Sequence, residues 1–293
     1  MMVRPEKLAG LYDFESRFLD LGGVRYHYLD EGRGEPIVML HGNPTWSFYY
    51  RRLVADLGSD YRVVAPDHIG CGLSDKPQDY SYTLKQHIAN VERLLQHLDL
   101  KNVTLVMHDW GGAIGMGYAV RHAGNVKRFV VLNTAAFWDA HLPFILRLAR
   151  QPLLGPVAIR RLNLFARLAT LLACRRERMT PEIRNGYLYP YDSYEKRVAI
   201  LRFVQDIPVN ARHPSYGLLK EIEAGLSQFT NHPMIVIWGA KDPVFTERLL
   251  DGWKQRFPAA IVKRLDDAGH YVLEDAYERI VPWVREFLKR NPL

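Results

Sequence analysis

Asp109 is the residue of this sequence whose type and setting most clearly suggest chemistry. A mostly apolar run over residues 103–108 leads to it, and two glycines then open a small-residue helical pattern over residues 113–120. This order predicts a strand, a sharp turn and a helix that can approach a sheet closely. A carboxylate on such a turn can attack an sp3 carbon and form an alkyl-enzyme ester that water later hydrolyses. The alternative is that Asp109 only caps the helix that begins near Trp110, and this stretch alone leaves both interpretations open.

Three other polar residues, Asn43, Asp242 and His270, each follow a short apolar run that is typical of a buried strand. Asp109, Asp242 and His270 come in the chain order of nucleophile, acid and histidine in the α/β-hydrolase architecture. In that arrangement, Asp109 attacks, neutral His270 takes a proton from water, and Asp242 holds the imidazole. The Asn43 side-chain amide and the Trp110 indole N–H could stabilise a leaving anion. Taken alone, Asn43 could equally be an ordinary loop asparagine.

The elements that must position these residues predict an α/β protein. The first two strands are joined by a glycine turn and form an antiparallel entry to the sheet, and helical patterns separate the later strands. We therefore expect an α/β-hydrolase fold, with a mostly parallel central sheet, helices on both faces and a helical cap inserted after the sixth strand. The predicted strands cover residues 17–21, 24–30, 36–40, 61–66, 103–108, 126–132, 234–238 and 260–265.

The strand signal disappears between residues 134 and 228, which predicts the cap. Residues 1–133 and 229–293 would then form the core. The cap's helical segments are predicted at residues 142–150, 156–174, 181–188, 194–205 and 216–229.

The cap combines many arginines with apolar helix faces. The arginines favour a solvated surface, and a membrane-binding face or one that docks a partner enzyme or a second copy is the alternative. The apolar faces must pack on something, and a lipophilic substrate pocket beneath the cap is the simplest expectation. The arginines are Arg147, Arg150, Arg160, Arg161, Arg167, Arg175, Arg176 and Arg178, and the apolar residues are Phe144, Ile145, Leu148, Leu162, Leu164, Phe165 and Leu168.

Composition excludes several classes of function. The chain has 293 residues, 48% of them apolar, and a net charge of +7 with no run of five like charges, so nucleic-acid binding is not expected. Cys71 and Cys174 lack metal-ligand spacing and do not indicate a disulfide framework. There is no secretory signal pattern and no apolar stretch of transmembrane length, which predicts a cytoplasmic protein without a transmembrane segment.

Four motifs resemble those of the haloalkane dehalogenases, and the similarity spans essentially the whole chain. They are the sequence HGNPTWS at residues 41–47, DWGG at 109–112, WGxxD at 238–242 and GH at 269–270. The resemblance implies hydrolysis of a carbon–halogen bond to an alcohol and a halide, without cofactor or metal. It gives Asp109 as nucleophile, His270 as base, and Asn43 with Trp110 as halide ligands. Some subfamilies carry a catalytic glutamate where this chain has Asn133, so Asp242 must be the acid.

The halide pair and the late acid resemble the third dehalogenase subfamily, which also contains the β-lactone decarboxylases of long-chain olefin biosynthesis. Residues 213–216 and 267–275 look closer to that branch, so decarboxylation of long-chain cis-β-lactones to cis-alkenes is the alternative function. Epoxide hydrolases fit less well, because they use two cap tyrosines and usually carry an aromatic residue at the Asn43 position. Fluoroacetate dehalogenases follow the nucleophile with arginine. A non-catalytic binding module is a further alternative. Candidate cap tyrosines are Tyr187, Tyr189, Tyr191 and Tyr194.

Overall fold

The computed structural model describes residues 8–293 and contains one eight-stranded sheet. In spatial order the strands are β1-β2-β4-β3-β5-β6-β7-β8. The pairs β1–β2 and β2–β4 are antiparallel, and the remaining neighbours are parallel, which confirms the predicted sheet. The strands are β1 (Arg17–Asp20), β2 (Arg25–Glu31), β3 (Pro36–Leu40), β4 (Arg62–Pro66), β5 (Val103–Asp109), β6 (Val126–Thr134), β7 (Met234–Gly239) and β8 (Ile261–Leu265).

Eleven α-helices are described beside this sheet, and five of them lie between β6 and β7, where the sequence predicts the cap. The boundaries of the predicted cap, residues 134 and 228, stay a prediction. The helices are α1 (Arg51–Leu57), α2 (Leu84–His97), α3 (Trp110–Arg121), α4 (Phe144–Ala149), α5 (Leu164–Leu172), α6 (Pro181–Leu188), α7 (Val198–Gln205), α8 (Pro214–Gly225), α9 (Glu247–Arg256), α10 (Val272–Asp275) and α11 (Tyr277–Arg290).

The sheet is covered on both faces because its central strands are apolar on both. Along β5, Leu105 and Met107 pack with α2, α3 and α9, whereas Val106 packs on the opposite face with α1 and α11. This alternation follows from the two-residue period of a strand. Helix α3 lies so close to β3 that a Cβ atom at Gly111 would collide with the Leu40 carbonyl oxygen. The glycines after Asp109 are therefore required by packing.

One predicted cap segment differs from the structure. Residues 156–174 form a π-helical segment, Pro156–Arg161, followed by α5, instead of one continuous helix. The break lies at Asn163, whose φ of 54° is left-handed. Asparagine tolerates this conformation better than most residues, and its side-chain amide donates to the Tyr191 carbonyl at 3.3 Å. A period of apolar residues does not reveal such a break.

Candidate active site

The carboxyl ends of three strands bring Asp109, Asp242 and His270 together. The His270 imidazole Nδ1 lies 2.7 Å from Asp242 Oδ2, and its Nε2 lies 3.7 Å from Asp109 Oδ2. All three residues are buried, with at most 8% of their surface exposed. Residues up to 161 positions apart in sequence are thus brought together, because parallel strands present their carboxyl ends at one edge of the sheet; their catalytic roles stay a prediction.

Asp109 occupies a strained turn between β5 and α3. Its φ of 51° and ψ of −125° are unusual for a residue with a Cβ atom, and its side chain makes no capping hydrogen bond to α3. The carboxylate instead accepts a hydrogen bond from the Asn43 backbone N–H at 2.6 Å. Strain of this kind, about 1–3 kcal/mol, concentrates at functional sites. The carboxylate therefore takes its short hydrogen bond from the loop after β3, which argues against the interpretation that Asp109 only caps the helix.

Gly42 lets the Asp109 carboxylate lie against the loop after β3. A Cβ atom at this position would overlap the Asp109 carboxylate. We expect Gly42→Ala to displace that carboxylate and to lower kcat by about 100-fold, since misplacement by about 1 Å has this cost. Gly217→Ala is the matched control, because nothing lies within 4 Å of its added Cβ atom. Steady-state kinetics and Tm should show unchanged activity in the control; equal activity in Gly42→Ala would contradict the packing argument.

The charges of the site oppose the effect of burial. Burial raises the pKa of Asp109, while His270 and the Asn43 N–H partly offset this rise. Burial alone would lower the pKa of His270, but Asp242 and, farther away, Asp109 outweigh it, so this pKa is raised. A carboxylate with a raised pKa thus lies beside an imidazole with a raised pKa, and both are buried.

Asp242 is held by donors on both of its oxygens. Oδ1 accepts the backbone N–H groups of Val244 and Phe245 at 2.8 and 3.0 Å. Oδ2 accepts the Asn133 side-chain amide at 3.0 Å, in addition to the His270 imidazole. Asn133 also bonds both backbone polar groups of Gly239, so it fixes the end of β7. From the sequence, Asn133 is only a position without a carboxylate, although a polar residue at the end of a buried strand is a usable signal for a site residue.

The raised pKa of His270 predicts how hydrolysis of an alkyl-enzyme ester depends on pH. His270 must be neutral to accept a proton from water, so the rate should rise with pH and level off above the pKa that His270 has beside Asp242. Asp242→Asn removes the carboxylate that raises this pKa. We therefore expect a slower enzyme whose midpoint lies at lower pH. Single-turnover alcohol formation from a bromoalkane, followed across pH, measures the rate and the midpoint of both enzymes. An unmoved midpoint in Asp242→Asn would contradict the assignment of His270 as the base that Asp242 supports.

The predicted anion ligands both contact α7 of the cap region. Asn43 Nδ2 donates to the Ile200 carbonyl at 3.1 Å, and the second hydrogen of this amide has no partner among the described residues. The Trp110 ring packs on Phe203, with ring centroids 5.3 Å apart, and its indole N–H makes no hydrogen bond within residues 8–293. Two N–H donors thus remain available to a bound anion. Nothing in the sequence pointed to Ile200, because it contributes only a backbone carbonyl.

These side chains open into a cavity of about 710 Å³. Asn43, Asp109, Trp110 and His270 are among its few polar lining residues, and most of the others are aliphatic side chains of the segment between β6 and α8. Ile145, Leu148, Leu162, Leu164, Phe165 and Leu168, which the sequence predicts to pack together over a pocket, all line it, whereas Phe144 does not. A cavity of this size and character suits a lipophilic ligand with one reactive polar group.

The cap tyrosines lie elsewhere. None of Tyr187, Tyr189, Tyr191 and Tyr194 lines the cavity. The Tyr187 hydroxyl donates to Glu274 at 2.6 Å, and the Tyr191 hydroxyl donates to the Thr45 carbonyl at 3.3 Å. The paired tyrosine donors that epoxide opening needs are therefore not at this site.

Two further residues hold the His270 loop in place. The Asp275 carboxylate accepts the Gly269 backbone N–H at 2.6 Å and also the N–H groups of Arg175 and Arg176. His108 is buried, which lowers its pKa well below 6.5, and one of its ring nitrogens lies 3.0 Å from the His270 carbonyl. A neutral His108 donates there and fixes the loop. Asp275 lay within residues 267–275, a segment noted only for its family resemblance.

Within residues 8–293 no group of three or more His, Cys, Asp or Glu side chains is arranged to hold a metal ion. No helix of this described part is long and apolar enough to cross a membrane.

A model of the α/β-hydrolase fold family matches residues 35–277, so the chain belongs to that family and is one of its enzymes. It is 45% identical to a cis-3-alkyl-4-alkyloxetan-2-one decarboxylase of Shewanella oneidensis, over 96% of this chain and 90% of the relative. It is 35% identical to haloalkane dehalogenase 2 of Mycobacterium bovis, over 94% of this chain and 96% of the relative. The crystal structure of the Agrobacterium tumefaciens haloalkane dehalogenase DatA is similar, with a TM-score of 0.86, 26% identity, and coverage of 95% of this chain and 97% of DatA.

Proposed function

We propose that this enzyme converts cis-3,4-dialkyl β-lactones into cis-alkenes and carbon dioxide, with Asp109 as nucleophile. The observation that carries the proposal is a buried carboxylate on a strained turn, lining an apolar cavity of about 710 Å³ beside a His–Asp pair. Such a cavity has room for two alkyl chains. The S. oneidensis relative, whose name states this substrate class, is more similar in sequence than the M. bovis dehalogenase.

The chemistry balances without water or an oxidant. Asp109 attacks ring carbon C4, the C4–O bond breaks, and the ring oxygen leaves as part of a free carboxylate. The bond between C3 and that carboxylate then breaks, its electron pair forms the C3=C4 double bond, and Asp109 departs as a carboxylate. Inversion at C4 followed by anti elimination gives net syn loss of carbon dioxide. A cis-lactone therefore yields a cis-alkene.

The surrounding residues suit both steps. The N–H donors of Asn43 and Trp110 would bind the carboxylate that ring opening releases. His270, whose pKa is raised, would stabilise the departing Asp109 carboxylate as a cation 3.7 Å away. Asp242 would hold that imidazolium in place.

Hydrolytic dehalogenation is the second candidate, because two free N–H donors beside a carboxylate also suit a halide. Asp109 would displace halide from a haloalkane, and water activated by neutral His270 would attack the aspartyl carbonyl, giving alcohol, halide and a proton. The two reactions differ in their use of water. Only the second incorporates solvent oxygen into the enzyme and product.

A parallel assay decides between them. The enzyme is incubated with a long-chain cis-3,4-dialkyl β-lactone and, separately, with a long-chain 1-bromoalkane, while alkene and bromide are measured. We expect rapid alkene formation and slow bromide release. Rapid bromide release without alkene would make the enzyme a haloalkane dehalogenase, and neither product would reject both functions and favour a binding module.

A further inference from the structure

Helix α5 leaves the large side chains of its apolar face accessible to solvent. Leu164, Leu168 and Leu171 are 41–48% exposed, although their spacing of four and three residues places them on one side of the helix. The buried side instead carries the small residues Ala166 and Thr170. A surface helix normally buries its large apolar side chains. The leucines of α5 therefore do not belong to the core.

The same is true of the whole segment around α5. Of the fifteen large apolar side chains that are exposed in residues 8–293, eleven lie between Phe144 and Leu172. Phe144 is 73% and Leu153 is 84% exposed. We call these eleven side chains the apolar cap face. A concentration of this kind marks a surface that contacts something apolar.

The positive charge of the protein is concentrated in the same segment. Residues 140–176 contain seven arginines and no Asp, Glu or Lys, whereas the other 32 Lys and Arg residues of the chain match its 32 Asp and Glu residues. The segment thus carries the entire net charge of +7. Arg147, Arg161 and Arg167 are exposed, and none of them forms an ion pair within the described part of the chain. These charges are available to an anionic partner.

The apolar cap face is also part of the cavity lining. Eight of its eleven side chains, including Leu154, Val157 and Leu168, line the active-site cavity while remaining exposed. Phe144, Leu153 and Leu171 do not line it. The cavity is therefore continuous with this face, and a surface that covers the face lies next to the cavity.

We propose that the apolar cap face binds the surface of an anionic lipid bilayer, so that the active-site cavity opens toward the lipid. Exposed aliphatic side chains insert at the boundary between headgroups and acyl chains, and unpaired arginines neutralise lipid phosphates. A second copy of the chain is a poorer occupant, because a symmetric contact would bring two segments of the same net charge together. This binding does not depend on which reaction the enzyme catalyses.

Vesicle co-sedimentation tests the proposal with the whole protein and no substrate. We expect binding to phosphatidylcholine vesicles that contain about one quarter phosphatidylglycerol, and at least about 10-fold weaker binding to phosphatidylcholine alone. Raising the salt concentration from about 0.1 M to about 0.5 M should weaken binding to the anionic vesicles, since salt screens exposed charges.

Variants locate the contact. The double substitution Phe144→Ser with Leu153→Ser, and separately Arg161→Gln with Arg167→Gln, should each weaken vesicle binding by at least about 10-fold. Phe144 and Leu153 lie outside the cavity, so the first variant should keep wild-type turnover of detergent-dispersed substrate. Ile261→Thr and Arg33→Gln are the matched controls, because both residues are exposed at the amino-terminal edge of the parallel strands, opposite the active site. Ile261 is the first residue of β8, and Arg33 lies in the loop before β3.

Three results would overturn the proposal. The first is no binding to anionic vesicles by a folded protein. The second is binding that the cap variants retain or that the control substitutions reduce equally. The third is concentration-dependent self-association, seen by sedimentation velocity and lost in the Phe144 and Leu153 variant, without vesicle binding; the face would then be an interface between copies. Since none of these readouts involves turnover, they stand apart from failure of the proposed reaction.

Discussion

Asp109→Asn should abolish alkene formation and bromide release together, by at least about 10⁴-fold in kcat, because both reactions begin with attack by this carboxylate. The substitution keeps the shape of the side chain and removes its charge. Stability should not fall, since a buried carboxylate whose pKa is raised is costly to ionise. Gas chromatography of the alkene, halide titration and Tm measure these outcomes.

Asp79→Asn supplies the matched control for this experiment, because Asp79 is exposed and lies outside the cavity. It should retain full activity. Mass spectrometry of the Asp109→Asn protein must show an intact asparagine, since deamidation would restore the nucleophile. Turnover by this verified variant at more than about one hundredth of the wild-type rate would reject covalent catalysis by Asp109 in either reaction.

His270→Phe has the second largest expected effect and separates the two steps of dehalogenation. Asp109 can still displace bromide, but no base activates the water that must attack the ester, so hydrolysis should slow by about 10²–10⁴-fold. We expect close to one bromide per enzyme molecule and then arrest. Intact-protein mass spectrometry should show one added alkyl group, and peptide mapping should locate it at Asp109.

The control for this variant is His97→Phe, in which an exposed histidine of α2 is replaced. It should turn over normally and accumulate no adduct. A folded His270→Phe enzyme that keeps turning over an accepted bromoalkane without any adduct would contradict this scheme. Because the variant lacks the imidazole, such turnover would reject His270 as the base that hydrolyses an ester of Asp109.

Much of the fold could be predicted because its signals are local. The central strands are apolar runs bounded by polar or glycine residues, and β1 with β2 shows a glycine turn. Each candidate side chain comes shortly after such a run, and parallel strands present these ends at one edge. That is why Asp109, Asp242 and His270 could be placed near one another before any distance was known.

The supports of the site could not be predicted in the same way, because they are long-range and often involve backbone groups. Asn43 bonds a carbonyl 157 residues away, and Asn133 bonds Asp242 109 residues away. The carboxylate of Asp275 joins the His270 loop to the segment that follows α5. No period or composition encodes which carbonyl a side-chain amide will meet.

The direction in which the cap's apolar residues point could not be predicted from the sequence either. Their helical spacing predicts one apolar face but not what covers it. In the structure, part of that face lines the cavity, and part, including Phe144 and Leu153, lies outside it. Whether a given leucine lines the cavity depends on the neighbouring elements, which are distant along the chain.

The sequence by itself determined the α/β class, the insertion after the sixth strand, and the identity of the three residues that can form a nucleophile, an acid and a base, because these depend on short apolar periods and on side-chain chemistry. Only the tertiary structure decided the 2.7 Å contact of His270 with Asp242, the raised pKa values of Asp109 and His270, and the position of a basic apolar face beside the cavity. These properties depend on burial and on distances between residues far apart in the chain, which only packing sets.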